Sequence, residues 1–236
     1  MGLYLRQLLA GVDFAMDNGF ASQMANFVYV IADDQTRECL VVDPAWDVRG
    51  ILAELDREDL KLTGALVTHY HPDHIGGDIF GHRILGLEDL LSTRPVRIHV
   101  NAAEADGVKQ VTGVSEADLV RHSGGDRIAI GGIEVTFLHT PGHTPGSQCF
   151  LVEESLISGD TLFIKGCGRV DLPGGDADQL YYSLTQTLAA LPDQTKLFPG
   201  HNYSRARVST MGEVKRENFC MRMSSLDDWR SLMRVQ

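Results

Sequence analysis

Residues 64–74 read Gly64-Ala65-Leu66-Val67-Thr68-His69-Tyr70-His71-Pro72-Asp73-His74, an apolar strand that runs straight into imidazole and carboxylate side chains. Packing does not explain three histidines and an aspartate between positions 69 and 74. Histidines two apart at a strand end point the same way, and a following turn brings Asp73 and His74 back toward the same point. Pro72 stiffens that turn by fixing its own φ and restricting the residue before it. A solvated polar loop is the bland alternative. It prevails for one isolated histidine, but metal binding is the main use of this density of His and Asp.

The pattern repeats at three further strand ends. His143 lies in Thr140-Pro141-Gly142-His143-Thr144-Pro145-Gly146, after the strand 134–139. Asp160 ends Leu156-Ile157-Ser158-Gly159, and His201 ends Leu197-Phe198-Pro199-Gly200. Each of these residues follows an apolar strand, so all can converge at one edge of a rigid sheet scaffold. Mixed imidazole and carboxylate donors suit zinc, iron or manganese. The candidate ligands are His69, His71, Asp73, His74, His143, Asp160 and His201.

The remaining strand signals are apolar runs rich in Val, Ile and Phe at 26–31, 39–43, 65–68, 97–100, 127–130, 134–139, 148–152, 156–158 and 196–198. Helical spacing marks 47–56, where Val48, Ile51, Leu52 and Leu55 share a face, and 177–191. A short helix is expected to open at Asn101, which can cap it. The stretch 78–125 has weak periodicity and reads as connecting helices and loops near the site mouth. Hairpin runs in both halves favour a mixed sheet pair flanked by helices, an α/β (α+β) architecture, over a doubly wound parallel sheet.

With 236 residues and 43% hydrophobic content, one domain spanning 1–236 is expected. The net charge of −11 and scattered Lys and Arg disfavour nucleic acid. In Met1-Gly2-Leu3-Tyr4-Leu5-Arg6, the charges at Arg6 and Asp13 interrupt any signal core or membrane span, so a cytoplasmic protein is expected. Cys39, Cys149, Cys167 and Cys220 show no CxxC pairing and are expected as reduced thiols, with Cys39 and Cys149 in the core.

The His-x-His-x-Asp-His loop, the later Pro-Gly-His, the Gly-Asp after a strand and the final Gly-His resemble the metallo-β-lactamase superfamily, over residues 24 to 201. That resemblance implies a four-layer αββα sandwich. It is less specific for the reaction, because the scaffold hosts several chemistries. Residues 159–169, Gly159-Asp160-Thr161-Leu162-Phe163-Ile164-Lys165-Gly166-Cys167-Gly168-Arg169, resemble the branch acting on glutathione conjugates, shared by glyoxalase II and the persulfide dioxygenases. In that branch the residues matching Arg169 and Tyr203 contact glutathione. Residues 170–184 and 208–216 are similar to the persulfide dioxygenases, and 35 residues follow His201, too few for the helical domain typical of glyoxalase II. The stretch between His74 and His143 and the tail after Phe219 depart from the dioxygenase pattern, which bears on substrate specificity.

The dioxygenase resemblance implies one Fe(II) per chain held by His69, His143 and Asp160, with open positions for substrate sulfur and O₂. His71, Asp73, His74 and His201 then support it. The hydrolase alternative implies zinc or a mixed dinuclear site: His69, His71 and His143 hold one metal, Asp73, His74 and His201 a second, and Asp160 bridges. In it Asp73 helps orient or deprotonate the attacking water. Asp73, His201 and Tyr203 are the candidate catalytic residues, and Arg169 and Tyr203 the candidate contacts to a glutathione-conjugated substrate. An ion pair with Asp171 or Asp176 is the bland reading of Arg169. A homodimer and a non-catalytic metal-binding protein are further readings. Asp43 reads either as a partner to the metal loop or as a helix cap. His82, His99, His122 and His139 read as packing or surface residues, with a supporting hydrogen bond open to His139. Met24, Phe27 and Tyr29 alternate like a strand near an active-site rim, with core packing as the favoured explanation.

Overall fold

The computed structural model describes residues 2–233. Met1 and residues 234–236, included in the domain read above, lie outside the described residues. The first half of the chain forms β1 (Leu3–Leu9), α1 (Gly19–Met24), β2 (Phe27–Asp33), β3 (Glu38–Val42), α2 (Val48–Arg57), β4 (Lys61–Leu66), α3 (Pro72–Ile75), β5 (Gly77–Ile79), β6 (His82–Ile84), α4 (Leu87–Thr93), β7 (Arg97–Asn101) and α5 (Ala105–Thr112). Then come β8 (Leu119–His122), β9 (Arg127–Ile130), β10 (Ile133–His139), β11 (Gln148–Val152), β12 (Ser155–Gly159), α6 (Ala177–Tyr182), β13 (Lys196–Pro199), β14 (Ser209–Thr210), α7 (Met211–Glu217) and α8 (Leu226–Met233).

Two six-stranded sheets result, ordered β1-β2-β3-β4-β7-β8 and β14-β13-β12-β11-β10-β9. Both are mixed: β3, β4, β7 and β8 run parallel, as do β12 and β13, and the other pairs in the two sheets are antiparallel. Period-two alternation on β2 explains the layering. Phe27, Tyr29 and Ile31 pack between the sheets against Val135, Phe137, Phe150 and Ile157. Val28, Val30 and Ala32 face the other way, onto the Val48, Ile51, Leu52 and Leu55 stripe of α2. On the far side Cys149, Leu156 and Leu197 meet Leu180, Leu184, Met211 and Trp229. Helices, sheet, sheet and helices make the expected four layers.

Several expectations are corrected. The stretch 78–125 supplies the hairpin β5–β6 and the edge strand β8 as well as helices. Only Asp78, Ile79 and Phe80 of it line the pocket over the candidate ligands. β8 escapes pattern reading because it has four residues and exposes Arg121. β1 hides its strand character likewise: as a sheet edge it keeps Arg6 and Gln7 partly exposed. Asn101 ends β7, and its side chain accepts from the Ala103 N–H at 2.9 Å, closing a turn, so α5 starts only at Ala105. Met24 ends α1 rather than joining β2. The helix expected over 177–191 passes from α6 into a π-helical segment at Ser183–Leu188. Among the described residues, no helix is long and apolar enough to cross a membrane.

The cysteines are free thiols, with Cys39 and Cys149 fully buried. Burial pushes the Cys39 thiol up to about 12 and Cys149 up to about 11. At about pH 8, iodoacetamide is therefore expected to leave both unmodified in the folded protein and to label them after denaturation. Labelling of either in the native state, read by peptide mass spectrometry, contradicts this packing.

Candidate metal centre

The chain brings all seven candidate ligands to one end of the sandwich. His69 and His71 follow β4, and α3 then carries Asp73 and His74, with Pro72 in its first turn as the stiffened turn requires. The two sheets are tied together here: Gln148 N–H donates to the Thr68 carbonyl at 3.0 Å and its side-chain amide to the Val67 carbonyl at 2.8 Å. Gly200 N–H donates to Gly159 O at 2.8 Å, which ties the Asp160 loop to the His201 loop. Two glycines allow close approach around Asp160. A Cβ on Gly200 would lie 2.3 Å from Asp160 Oδ1, and one on Gly168 would lie 2.0 Å from the Asp160 carbonyl and 2.9 Å from the His143 ring.

Hydrogen bonds settle how four of the five histidines present their nitrogens. A carbonyl oxygen only accepts, so His143 Nδ1–H donates to Arg169 O at 2.7 Å and His201 Nδ1–H to Met24 O at 2.7 Å. His74 Nδ1–H donates to the Asp43 carboxylate at 2.9 Å. The Thr68 hydroxyl gives its one proton to Asp43 at 2.6 Å, so its oxygen accepts from His69 Nδ1–H at 2.9 Å. In every case Nδ1 is committed to the protein and Nε2 is turned inward, as in histidines that bind metal. Asp43 is thus a partner to the metal loop. Its approach to His69 and His74 runs through these Nδ1 edges, which leaves it no place as a ligand.

The inward atoms fall into two groups. His69, His71 and His143 form the first, with His71 Nδ1 2.9 Å from His143 Nε2. Asp73, His74 and His201 form the second, with separations of 3.2, 3.4 and 3.5 Å among Oδ2 and the two Nε2 atoms. Ligands on one tetrahedral zinc ion lie about 3.3 Å apart, so this spacing fits a metal. Asp160 reaches both groups: Oδ1 is 3.3 Å from His74 Nε2, and Oδ2 is 3.3 Å from His201 Nε2 and 3.7 Å from His143 Nε2.

Two buried atoms of the candidate ligands, His69 Nε2 and Asp160 Oδ1, have no hydrogen-bonding partner within the usual geometry among the described residues, the latter 3.3 Å from His74 Nε2. An unsatisfied buried acceptor costs about 1–3 kcal/mol, and a cation satisfies both. Electrostatics separates the groups further. Burial, with neighbouring His74, His71 and His143, holds His69 well below its ordinary pKa; burial, then His143, lowers His71 to about 4. Burial also disfavours the His74 and His201 cations, but Asp160 and Asp73 more than reverse this. His74 is held well above its usual value and His201 is raised to about 9. Burial opposes ionisation of Asp73 and Asp160, yet the imidazolium neighbours hold both below the usual carboxylate range. Without metal, burial holds His69 and His71 toward the neutral form, whereas Asp73 and Asp160 hold His74 and His201 toward the cation.

A pocket of about 760 Å³ opens over Asp73, His71, His143, Asp160 and His201. Arg169 and Lys165 line it, as do Phe163 and Tyr203. Arg169 forms a two-pronged pair with Asp171, at 2.6 and 2.6 Å, with its side chain 58% exposed. The ion-pair reading and the pocket position therefore coexist. Tyr203 stacks on His201, centroids 4.7 Å apart and planes at 9°, and burial followed by Asp160 and Asp73 keeps its hydroxyl protonated. Contact with the Cys220 thiol, together with burial, holds Cys167 well above the usual thiol range, which disfavours a nucleophile there. His99 and His122 pair away from the site, at 2.9 Å, with His122 stacked on Phe137. His139 Nε2 donates to Pro145 O at 3.0 Å and so supports the His143 loop.

Two buried residues of the site were not visible in the sequence. Asn26 sits at the start of an apolar run, where a polar residue was the available signal. Trp46 Nε1–H donates to its Oδ1 at 3.0 Å, which turns its NH₂ toward the second group, 2.9 Å from Asp73 Oδ2 and 3.2 Å from His74 Nε2. Glu104 carried no signal, because its partners Tyr70, Thr144 and Gly146 lie far away along the chain.

Comparison with known proteins agrees with this geometry. The family model described as the metallo-beta-lactamase superfamily matches residues 22–201. A hydroxyacylglutathione hydrolase of Shewanella halifaxensis is 35% identical over 82% of this chain and 68% of its own length. The mitochondrial persulfide dioxygenase ETHE1 of Mus musculus is 30% identical over 90% of this chain and 78% of its own. The crystal structure of ETHE1 from Myxococcus xanthus superimposes with a TM-score of 0.80 at 30% identity, covering 98% of this chain and 90% of that one. The chain belongs to the metallo-beta-lactamase superfamily, among that family's enzymes.

Proposed function

We propose that this enzyme acts on a glutathione-linked substrate, with glutathione persulfide as the substrate and one ferrous iron held by His69, His143 and Asp160. The observation that carries the reading is the orphaned, buried His69 Nε2, an atom of that triad with no hydrogen-bonding partner among the described residues. The donors of the second group, by contrast, face one another and the Asn26 amide. Iron with two histidines and one carboxylate supplies open positions for sulfur and O₂. The overall change is glutathione persulfide plus O₂ and water to glutathione, sulfite and two protons.

The protein's own groups then have distinct tasks. Arg169 and Lys165 give a cationic wall to an otherwise acidic chain, suited to the carboxylates of a glutathione moiety. Tyr203 offers a protonated phenol beside His201. His71, Asp73, His74 and His201 surround the triad and fix its charge.

The second reading, a hydroxyacylglutathione hydrolase with two metals, is favoured by the spacing within Asp73, His74 and His201. In it Asp73, His74 and His201 would hold the second metal, Asp160 would serve both, Asp73 would also orient the attacking water, and the metals would supply Lewis-acid activation of that water. Metal analysis of protein purified without added metal, with O₂ uptake on glutathione persulfide and hydrolysis of S-lactoylglutathione, separates the two. Iron near one per chain with O₂ uptake is expected; two metals with thioester turnover overturn it. Arg169→Ala is expected to raise KM roughly tenfold with kcat nearly unchanged, as for loss of one charged substrate contact worth about 1.4 kcal/mol. An unchanged KM removes Arg169 from the site.

A further inference from the structure

The three histidines of the first group come from two loops that belong to different sheets. His69 and His71 follow β4, and His143 lies between β10 and β11. One buried side chain reaches both loops. Glu104 is 1% exposed and sits in the turn before α5. Its Oε1 accepts from the Tyr70 backbone N–H at 2.8 Å and from the Thr144 hydroxyl at 2.7 Å. Its Oε2 accepts from the Gly146 backbone N–H at 2.7 Å. Tyr70 lies between His69 and His71, and Thr144 directly follows His143. The contact is tight enough to exclude a side chain at 146, where a Cβ would lie 2.5 Å from Oε2.

We infer that Glu104 is a positioning residue that sets the separation of the two loops and thereby the metal affinity of His69, His71 and His143. It touches no candidate ligand, so it acts only through the backbone that carries them. Its charge type is matched to the task. All three partners donate to it, and a carboxylate offers acceptors on both oxygens. Glutamine has the same shape but only one acceptor oxygen. Whichever way its amide turns, its NH₂ faces the N–H of Tyr70 or of Gly146. Aspartate is one methylene short of spanning both loops. Ligand geometry tolerates errors of only about 0.5 Å, so loss of this brace bears on metal binding before it bears on the fold.

The inference rests on reading the first group as a metal site, and the test keeps the two apart. The dissociation constant for the first Zn(II) is measured on the full chain by competition with a chromophoric chelator, for wild type, Glu104→Gln and Thr144→Val. The melting temperature of each metal-free protein is recorded alongside. Glu104→Gln is expected to bind about ten- to a hundredfold more weakly, as for other supporting partners of metal ligands. Thr144→Val, which removes one of the three bonds to Glu104 together with the 2.7 Å contact to the Ser147 hydroxyl and keeps the side-chain volume, is expected to weaken binding a few-fold. Affinity within twofold of wild type in both variants overturns the inference, even if melting temperatures fall, because a merely structural role moves only the latter. Should Glu104→Gln fail to fold, unchanged affinity in Thr144→Val overturns it alone. A wild-type protein that binds no zinc sinks the metal-site reading instead.

Discussion

Asp160→Ala is expected to lose bound metal and activity together. Asp160 reaches histidines of both groups, within 3.3 to 3.7 Å of His74, His143 and His201. It also carries one of the two orphaned acceptors. Removing a supporting partner of a metal ligand costs about ten- to a hundredfold in affinity or activity, so removing a shared ligand is expected to exceed this. Metal content by mass spectrometry is expected to fall below a tenth of the wild-type value, as the fall in affinity of over a hundredfold implies. Asp160→Asn, which keeps the volume, separates charge from packing and is expected to fail nearly as badly. Retained metal with full turnover in Asp160→Ala sinks the shared site under either reading.

The second large effect is expected at Asp43. Its carboxylate, 3% exposed as a residue, accepts from Thr68 N–H at 2.8 Å, the Thr68 hydroxyl at 2.6 Å and His74 Nδ1–H at 2.9 Å. Alanine leaves three buried donors without an acceptor, and buried unsatisfied groups cost about 1–3 kcal/mol each. The backbone adds to this: Asp43 has φ +54, a left-handed conformation that Asp and Asn tolerate better than Ala. A destabilisation of about 3–5 kcal/mol is expected, which for a chain of this size lowers Tm by about 10 °C. Asp43→Asn keeps the conformation and one acceptor, so it is expected to cost less stability. Its amide opposes the proton on His74 Nδ1, however, and pushes that proton to Nε2, where a metal would bind. Loss of metal without a large fall in Tm is therefore expected for Asn, measured by calorimetry with metal analysis. Equal Tm in wild type and Asp43→Ala contradicts the account.

Local chemistry made much of this protein readable in advance. The loops after β4, β10, β12 and β13 are announced by apolar runs that stop at His or Asp, because the core-facing residues of each strand must be apolar and a donor at its end must be polar. Strands whose pattern is diluted at a sheet edge, β1 and β8, were not readable, since five of the seven residues of β1 and two of the four of β8 meet water at least in part. The helix after Asn101 was placed too early because an Asn that closes a turn and an Asn that caps a helix look alike in one dimension.

Glu104 and Asn26 mark the limit of linear reading. A carboxylate or amide is ordinary on a surface, and its meaning here comes from donors brought beside it by folding: Tyr70 and Thr144 for Glu104, Trp46 and Asp73 for Asn26. The identity of the donor set and the family follow from residue type and spacing along the chain, since both are local properties. The grouping of those donors, the inward Nε2 atoms and the contrast between neutral and protonated histidines depend on distances of a few tenths of an ångström between separate loops. Such distances are set by two sheets packing face to face, and no stretch of sequence encodes them alone.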